Sequence, residues 1–360
     1  MSADATVPNS QSAASRIRVM VVDDSPVIRE LLIYVLKQVP DLQVVGVAHN
    51  GEQGVAMVGD IRPDVITMDI HMAGMDGFEA ARRIMETRAT PIVIVSGSSS
   101  VTESVTVFRA LAVGALTVVR RPHGLGHPEF ASSSKGLVET VRLMAGVKVV
   151  RRWARSEGGA GNARPVTPVP ARSDVRILAI GASTGGPAAI MTILAALPKD
   201  MPFPVLIVQH ICDGFAAGFG EWLTRASGFP VHIAAAGELP LPGHVYVAPS
   251  GFHMGVNGSN RIMLDAGPSE DRLRPSVAYM FRSVAAAFGR HSVAILLTGM
   301  GTDGAEALKL IRDRGGTTIA QDEASSVVHG MPGEAIRRGA AMHVLSPENM
   351  GPFLRGLQGK

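Results

Sequence analysis

The feature that most constrains this chain is a repeated alternation of short apolar runs with amphipathic stretches. In the first half, apolar runs at 17–22, 42–47, 64–69, 91–96 and 115–119 alternate with helically spaced segments at 25–38, 51–58, 77–85, 103–113 and 135–144. Pro26 falls in the first turn of the first helix, where its missing N–H costs nothing. Five such units in succession predict a doubly wound parallel sheet. Hydrophobic residues make up 46% of the 360 and aromatics only 4%, so the cores must be aliphatic. That composition suits parallel strands covered on both faces.

The length predicts two domains. Residues 1–15 are small and polar and read as a disordered tail. A stretch from Arg151 to Pro170 is rich in Gly, Pro and Arg and has no hydrophobic period. It predicts a linker over 148–174 between a first domain at 16–147 and a second at 175–360. The second half is again α/β. Strands are expected at 177–182, 203–209 and 292–298, with helices at 187–197, 215–226, 276–288 and up to 312. Short runs at 231–235, 244–248 and 261–264, with turns at Pro242-Gly243 and Asn257-Gly258, predict a small antiparallel excursion.

Composition also excludes some functions. The net charge is +3, with no dense Lys/Arg run interleaved with aromatics, which argues against nucleic-acid binding. A single cysteine, Cys212, excludes an intramolecular disulfide and fits a reducing compartment. The N-terminus has no basic start followed by an apolar run. No apolar run approaches the roughly 20 residues that span a bilayer. A cytoplasmic protein without membrane insertion is expected.

Two sets of residues carry chemistry. Asp23 and Asp24 close the first strand and Asp69 the third. In a doubly wound sheet these strands are neighbours, so three carboxylates converge at one edge. Like charges so close repel unless a cation sits among them, and an oxygen-only set suits Mg2+. Ser96, ending the fourth strand, could bond a phosphoryl oxygen, and Arg121, after the fifth, could pair with it. The second set begins with Gly181-Ala182-Ser183-Thr184-Gly185, which fits the G-x-S-x-G pattern of a nucleophile elbow. A phosphate-binding turn is the competing reading, although G-x-G-x-x-G is not matched. A Ser nucleophile needs a base and a carboxylate to orient it. His210 ends a strand expected beside that of Ser183; His232, His244, His253, His329 and His343 are further candidates in this half. Asp303 opens a helix after a buried strand and could equally be an N-cap; Asp322 competes with it. No Cys/His pair or H-E-x-x-H spacing suggests zinc at this second site.

Residues 16–122 resemble a response-regulator receiver domain, of flavodoxin-like fold. The resemblance maps the phospho-acceptor to Asp69, the acidic pair to Asp23 and Asp24, the Ser/Thr switch to Ser96, and the following loop to Met75-Asp76-Gly77. The usual Lys-Pro is Arg121-Pro122 here, the aromatic switch position is Val118, and the usual loop Pro is Ala73. Residues 177–345 resemble the catalytic domain of the protein-glutamate methylesterases of bacterial chemotaxis. The carrying motifs are Gly181-Ala182-Ser183-Thr184-Gly185-Gly186, Val208-Gln209-His210, Ala248-Pro249-Ser250-Gly251-Phe252-His253, Arg274-Pro275-Ser276, Thr298-Gly299-Met300-Gly301-Thr302-Asp303-Gly304, and the run from Ala320 to Val328. The family's usual Met-Pro after the triad His is Ile211-Cys212 here; Cys212 reads as a small buried thiol rather than a nucleophile.

The resemblance implies a triad of Ser183, His210 and Asp303, with Thr184 and Met300 lining the oxyanion region. It implies hydrolysis of glutamate methyl esters on chemoreceptors, deamidation of glutamine at the same sites, and a chemotaxis-type histidine kinase as phosphoryl donor. Mg2+ serves the receiver, and the esterase needs no cofactor. The unphosphorylated receiver is expected to cover the esterase cleft. Two other readings compete: a non-catalytic response regulator whose second domain only binds a partner, and a general α/β-hydrolase using a late histidine, His329 or His343.

Overall fold

A computed structural model describes residues 16–97, 101–112, 114–147, 149 and 174–357. The expected tail and nearly all of the expected linker lie outside these residues.

The N-terminal unit runs β1 (Ile17–Val22), α1 (Pro26–Lys37), β2 (Leu42–Ala48), α2 (Gly51–Ile61), β3 (Val65–Met68), α3 (Gly77–Thr87), β4 (Ile92–Ser96), α4 (Val101–Ala112), β5 (Thr117–Arg120) and α5 (Phe130–Ala145). The five strands are parallel, in the order β2-β1-β3-β4-β5. The order reverses between β1 and β3, which is where open α/β sheets form their sites. Helix α5 starts at Phe130 rather than at 135. Ser132 and Ser133 turn their hydroxyls back onto the Glu129 carbonyl (3.0 and 2.7 Å). Their polar run therefore hides a helix start that the apolar period alone does not show.

The C-terminal unit runs β6 (Ile177–Ala182), α6 (Gly186–Ala195), β7 (Val205–Gln209), α7 (Ala216–Ser227), β8 (Val231–Ile233), β9 (Val245–Val247), β10 (His253–Val256), β11 (Ile262–Asp265), α8 (Val277–Phe288), β12 (Ser292–Leu296), α9 (Ala305–Asp313), β13 (Thr317–Gln321), α10 (Met331–Arg337), β14 (His343–Leu345) and α11 (Pro347–Leu357). Seven strands form one sheet in the order β14-β13-β12-β6-β7-β9-β8. The antiparallel excursion is smaller than expected. β8 and β9 pair in parallel and extend the main sheet; among the strands of the described residues, only β10 and β11 pair antiparallel, as a hairpin. A short apolar run carries no direction of its own. The ten-odd residues between β8 and β9 are long enough for a return crossover rather than a hairpin turn.

The central strands are buried from end to end, as β6 and β7 show. The units pack against each other through α4 and α7. Phe108 of α4 meets Phe219 and Trp222 of α7, with ring centroids 5.0 and 5.9 Å apart. Phe108 and Phe219 are fully buried, and one continuous apolar cluster spans both sheets. Such aromatic contacts add roughly 0.5–1.5 kcal/mol per pair beyond area burial.

Candidate functional site

The C-terminal edge of the seven-stranded sheet gathers the serine, histidine and aspartate from three strand ends. β6 and β7 are in register with Ala182 opposite Gln209, and the His210 N–H donates to the Ala182 carbonyl (2.9 Å). Ser183 and His210 thus leave neighbouring strands at the same height. On the other side, the Ser183 N–H donates to the Thr298 carbonyl (3.0 Å). A Cβ at Gly299 would stand 2.5 Å from the Ser183 Cβ, so this loop can pass the serine only without a side chain. Gly185, with φ of 79°, makes the left-handed turn into α6. The elbow is therefore a strand–turn–helix, as the pattern requires.

Asp303 does not cap the helix it precedes. Gly304 holds that position, and the carboxylate reaches the N-terminus of α8 instead. Its Oδ2 accepts from the Val277 N–H (2.7 Å) and its Oδ1 from the Ala278 N–H (2.9 Å). The Ser276 hydroxyl lies 3.1 Å from Oδ1. His210 Nε2 donates to Oδ2 at 2.9 Å. Burial alone would raise the Asp303 pKa; the bond to His210, its charge, and the two backbone donors outweigh it and hold the carboxyl below its ordinary value. With Nε2 engaged, Nδ1 is the imidazole nitrogen left to take a proton. No hydrogen bond joins Ser183 Oγ to His210 among the described residues, and such contacts are commonly loose before substrate binds.

Two buried glutamines brace this edge. One Gln209 amide donates to both the Ser183 carbonyl (2.7 Å) and the His210 carbonyl (3.0 Å), tying the two backbones together. Gln321 Oε1 accepts from the Thr298 N–H (2.8 Å). Both glutamines lie inside quoted motifs, but nothing in a sequence pattern assigns them this bracing. Ser276 could have been found: it is a Ser directly before an apolar helical run, and it caps α8 through the Tyr279 N–H (3.2 Å).

The competing residues have other partners. His253 accepts from the Ser276 N–H (3.2 Å) and bonds the Pro268 carbonyl (3.0 Å). His232 and His244 bond each other at 2.9 Å beside Tyr246. His329 bridges to Gly299 but bonds Ser326 Oγ (3.3 Å), and His343 packs on Phe353 at the sheet edge. Asp322 accepts from the Ser325 N–H (2.9 Å) within its own turn. Cys212 Sγ donates to the Val118 carbonyl across the unit boundary (3.4 Å), and burial pushes its thiol up. Thr184 follows the serine. Met300, half exposed, follows the Gly299 loop.

At the edge of the five-stranded sheet, carboxylate oxygens of Asp23, Asp24 and Asp69 lie within 4.8 Å of one another. Asp23 is fully buried, and its Oδ2 has no hydrogen-bond partner. Desolvation and the Asp69 charge raise the Asp23 carboxyl to about 6; burial also raises that of Asp69. Arg121 reaches Asp69 Oδ1 at 3.3 Å, and its N–H donates to the Ser96 carbonyl (2.8 Å). Ser96 is buried at the end of β4. Val118, in the aromatic switch position, is buried and carries the carbonyl that meets Cys212.

Residues 178–354 match the family model described as CheB methylesterase, and residues 19–125 match that of the response regulator receiver domain. A protein-glutamate methylesterase/protein-glutamine glutaminase of Nitrosospira multiformis is 51% identical over 343 residues, covering 95% of this chain and 97% of that protein. A similarly named protein of Geobacter metallireducens is 49% identical over 346 residues, covering 95% and 99%. The crystal structure of the Thermotoga maritima CheB methylesterase catalytic domain aligns at 36% identity and a TM-score of 0.49, covering 50% of this chain and 97% of that one. Identity of about one residue in two along nearly the whole length makes this chain a member of the CheB methylesterase family, with a receiver domain ahead of its methylesterase domain.

Proposed function

We propose that this chain is a phosphorylation-activated serine esterase that hydrolyses glutamate methyl esters on chemoreceptors, and deamidates glutamines there, within the cytoplasm. The observation that carries the proposal is the Asp303–His210 pair at 2.9 Å on strand ends flanking Ser183. His210 Nδ1 takes the Ser183 hydroxyl proton as Oγ attacks the ester carbonyl. Asp303 fixes the imidazole and stabilises its protonated form. The N–H groups of Thr184 and Met300 hold the oxyanion. The C–O bond to methoxide breaks, and the imidazolium returns the proton, so methanol leaves. Water, deprotonated by His210, then frees the γ-carboxylate and restores Ser183. With a glutamine side chain, ammonia leaves in place of methanol.

In this reading a receiver domain (16–147) and a catalytic domain (175–360) flank a linker (148–174). A chemotaxis-type histidine kinase supplies the phosphoryl group to Asp69. The donor set fits a hard divalent cation: three clustered carboxylates, one with an orphaned buried oxygen. Asp23, Asp24 and Asp69 would hold Mg2+, which when bound neutralises the like charges and organises the phosphoryl oxygens. The Asp69 carboxylate is the nucleophile, while the Ser96 hydroxyl and the Arg121 guanidinium receive the phosphoryl oxygens. Arg121 brings a planar fork where a lysine would bring a point charge. In the α4–α7 contact and the Cys212–Val118 bond, the partners on the catalytic side, Cys212, Phe219 and Trp222, follow His210 closely in sequence. These contacts support a resting state in which the receiver covers the cleft, and phosphorylation releases it. A shift of a few kcal/mol is enough to invert such an equilibrium.

The test is methanol release from a methylated receptor fragment. Wild type should release methanol and Ser183→Ala should not. No release by wild type above background, or an unchanged signalling output with Ser183→Ala, would favour the non-catalytic regulator instead; equal release by both would remove Ser183 as the nucleophile.

A further inference from the structure

The loop after β5 carries three metal-ligating side chains that neither reaction uses. His123, His127 and Glu129 each offer one ligand atom, and these atoms lie within 4.8 Å of one another. His123 Nε2 stands 3.1 Å from Glu129 Oε2. The two imidazoles lie almost parallel, with centroids 4.0 Å apart and planes 7° apart. His127 Nδ1 accepts from the Glu129 backbone N–H (3.1 Å), so this ring must turn to free that lone pair for a metal.

The backbone of this loop is fixed. The His127 N–H donates to the Gly124 carbonyl (3.1 Å), and the Phe130 N–H donates to that of His127 (2.9 Å). The His123 N–H donates to Ser133 Oγ in the first turn of α5 (3.1 Å). The three ligands therefore hang from an ordered turn, and only side-chain rotation separates them from convergence on one point. At zinc bond lengths of about 2.0–2.1 Å, a 3.1 Å N···O separation subtends roughly 100° at the metal, near the tetrahedral angle. Two imidazoles and one carboxylate select a borderline transition ion over Mg2+ or Ca2+. The solvent side of the cluster leaves the fourth position to water.

We propose that His123, His127 and Glu129 form a zinc-class metal site, separate from the carboxylate cluster at Asp23, Asp24 and Asp69. It lies two residues beyond Arg121, on the connection that leaves β5, the strand whose Val118 carbonyl meets Cys212.

The experiment uses the full chain stripped with a chelator and kept in excess Mg2+, so that the Asp cluster does not compete. Zn2+ is titrated against a chromophoric chelator. Wild type should take up one tight equivalent. His123→Ala and His127→Ala should each weaken it by more than the roughly tenfold that loss of an outer partner costs. Both variants should still label at Asp69 with acetyl phosphate, which shows that they are folded. His232→Ala and His244→Ala should bind as wild type does. On the unsubstituted chain, Zn2+ should shift the ring nitrogen resonances of His123 and His127 and leave those of the other histidines in place. Absence of a tight equivalent, equal binding by the loop variants, or shifts at other histidines would overturn the site.

Discussion

The two sheet edges place buried aspartates in opposite states. Asp303 is met by an imidazole N–H, two backbone N–H groups and a hydroxyl, and its carboxyl is held below its ordinary value. Asp23 is equally removed from water, yet one of its oxygens has no donor, and its carboxyl is raised to about 6. One edge is electrostatically complete within the chain; the other leaves a buried carboxylate oxygen without a donor, a gap that the proposed function fills with a cation and a phosphoryl group. The difference teaches where control must act. The Asp–His pair is already joined in this structure, so on the proposed function the signal has access to regulate rather than chemistry.

The largest effects should come from the complete edge. Ser183→Ala and His210→Ala are each expected to lower kcat on the order of 10,000-fold or more, measured as methanol release. Asp303→Asn should cost about 1,000- to 10,000-fold, since the amide can present the wrong partner to Nε2. If His329→Ala proved as damaging as His210→Ala, the assignment of the base would break. Next is the bracing between nucleophile and base. Gln209→Glu removes the two N–H donors and sets a carboxylate against two carbonyls. It should lower kcat by about 10- to 100-fold with KM little changed, because each lost donor costs about 1–3 kcal/mol where it is needed. A change confined to KM would place the residue in substrate binding instead.

Access control predicts a change of opposite sign. Phe108→Ala deletes the ring that seats against Phe219 and Trp222. It should raise activity without acetyl phosphate several-fold and shrink the response to it, while the triad is untouched. Unchanged or lower basal activity would separate this interface from regulation.

The smallest effect belongs to the incomplete edge and is one of stability. The folded chain holds the Asp23 proton more tightly than the unfolded chain, about 6 against 3.8. Stability from this group is therefore present below about pH 4 and lost as pH rises toward 6; above that the buried charge is a burden. Asp23→Asn should stabilise the Mg2+-free protein at pH 7.5 by roughly 1–3 kcal/mol and leave it unchanged at pH 3.5. Saturating Mg2+ should erase the difference. A loss of stability at pH 7.5, read from the thermal midpoint, would contradict this account of the carboxylate cluster.

Much of this was legible in the chain. Alternating apolar runs end in Asp69, Ser183 and His210, and a doubly wound sheet brings such ends to one edge whatever the details of packing. What stayed hidden has physical reasons. The parallel pairing of β8 and β9 follows from where a crossover lands, which three-residue runs do not encode. The start of α5 lies in a serine run with no apolar period. Asp303 follows a strand and precedes a helix, so local rules left a cap of α9 as an equal reading; the backbone donors it meets, at the N-terminus of α8, lie some 25 residues earlier in sequence. The amide of Gln209 is a long-range brace, and only the folded edge shows which carbonyls it reaches.

The most direct test of the central claim compares the rate of methanol release from a methylated receptor fragment, with and without acetyl phosphate and Mg2+, in wild type and Asp69→Ala. The access account predicts that phosphorylation accelerates wild type and leaves Asp69→Ala at its basal rate, with that basal activity still dependent on Ser183. Equal rates for wild type with and without acetyl phosphate, while Asp69 is demonstrably labelled, would contradict it.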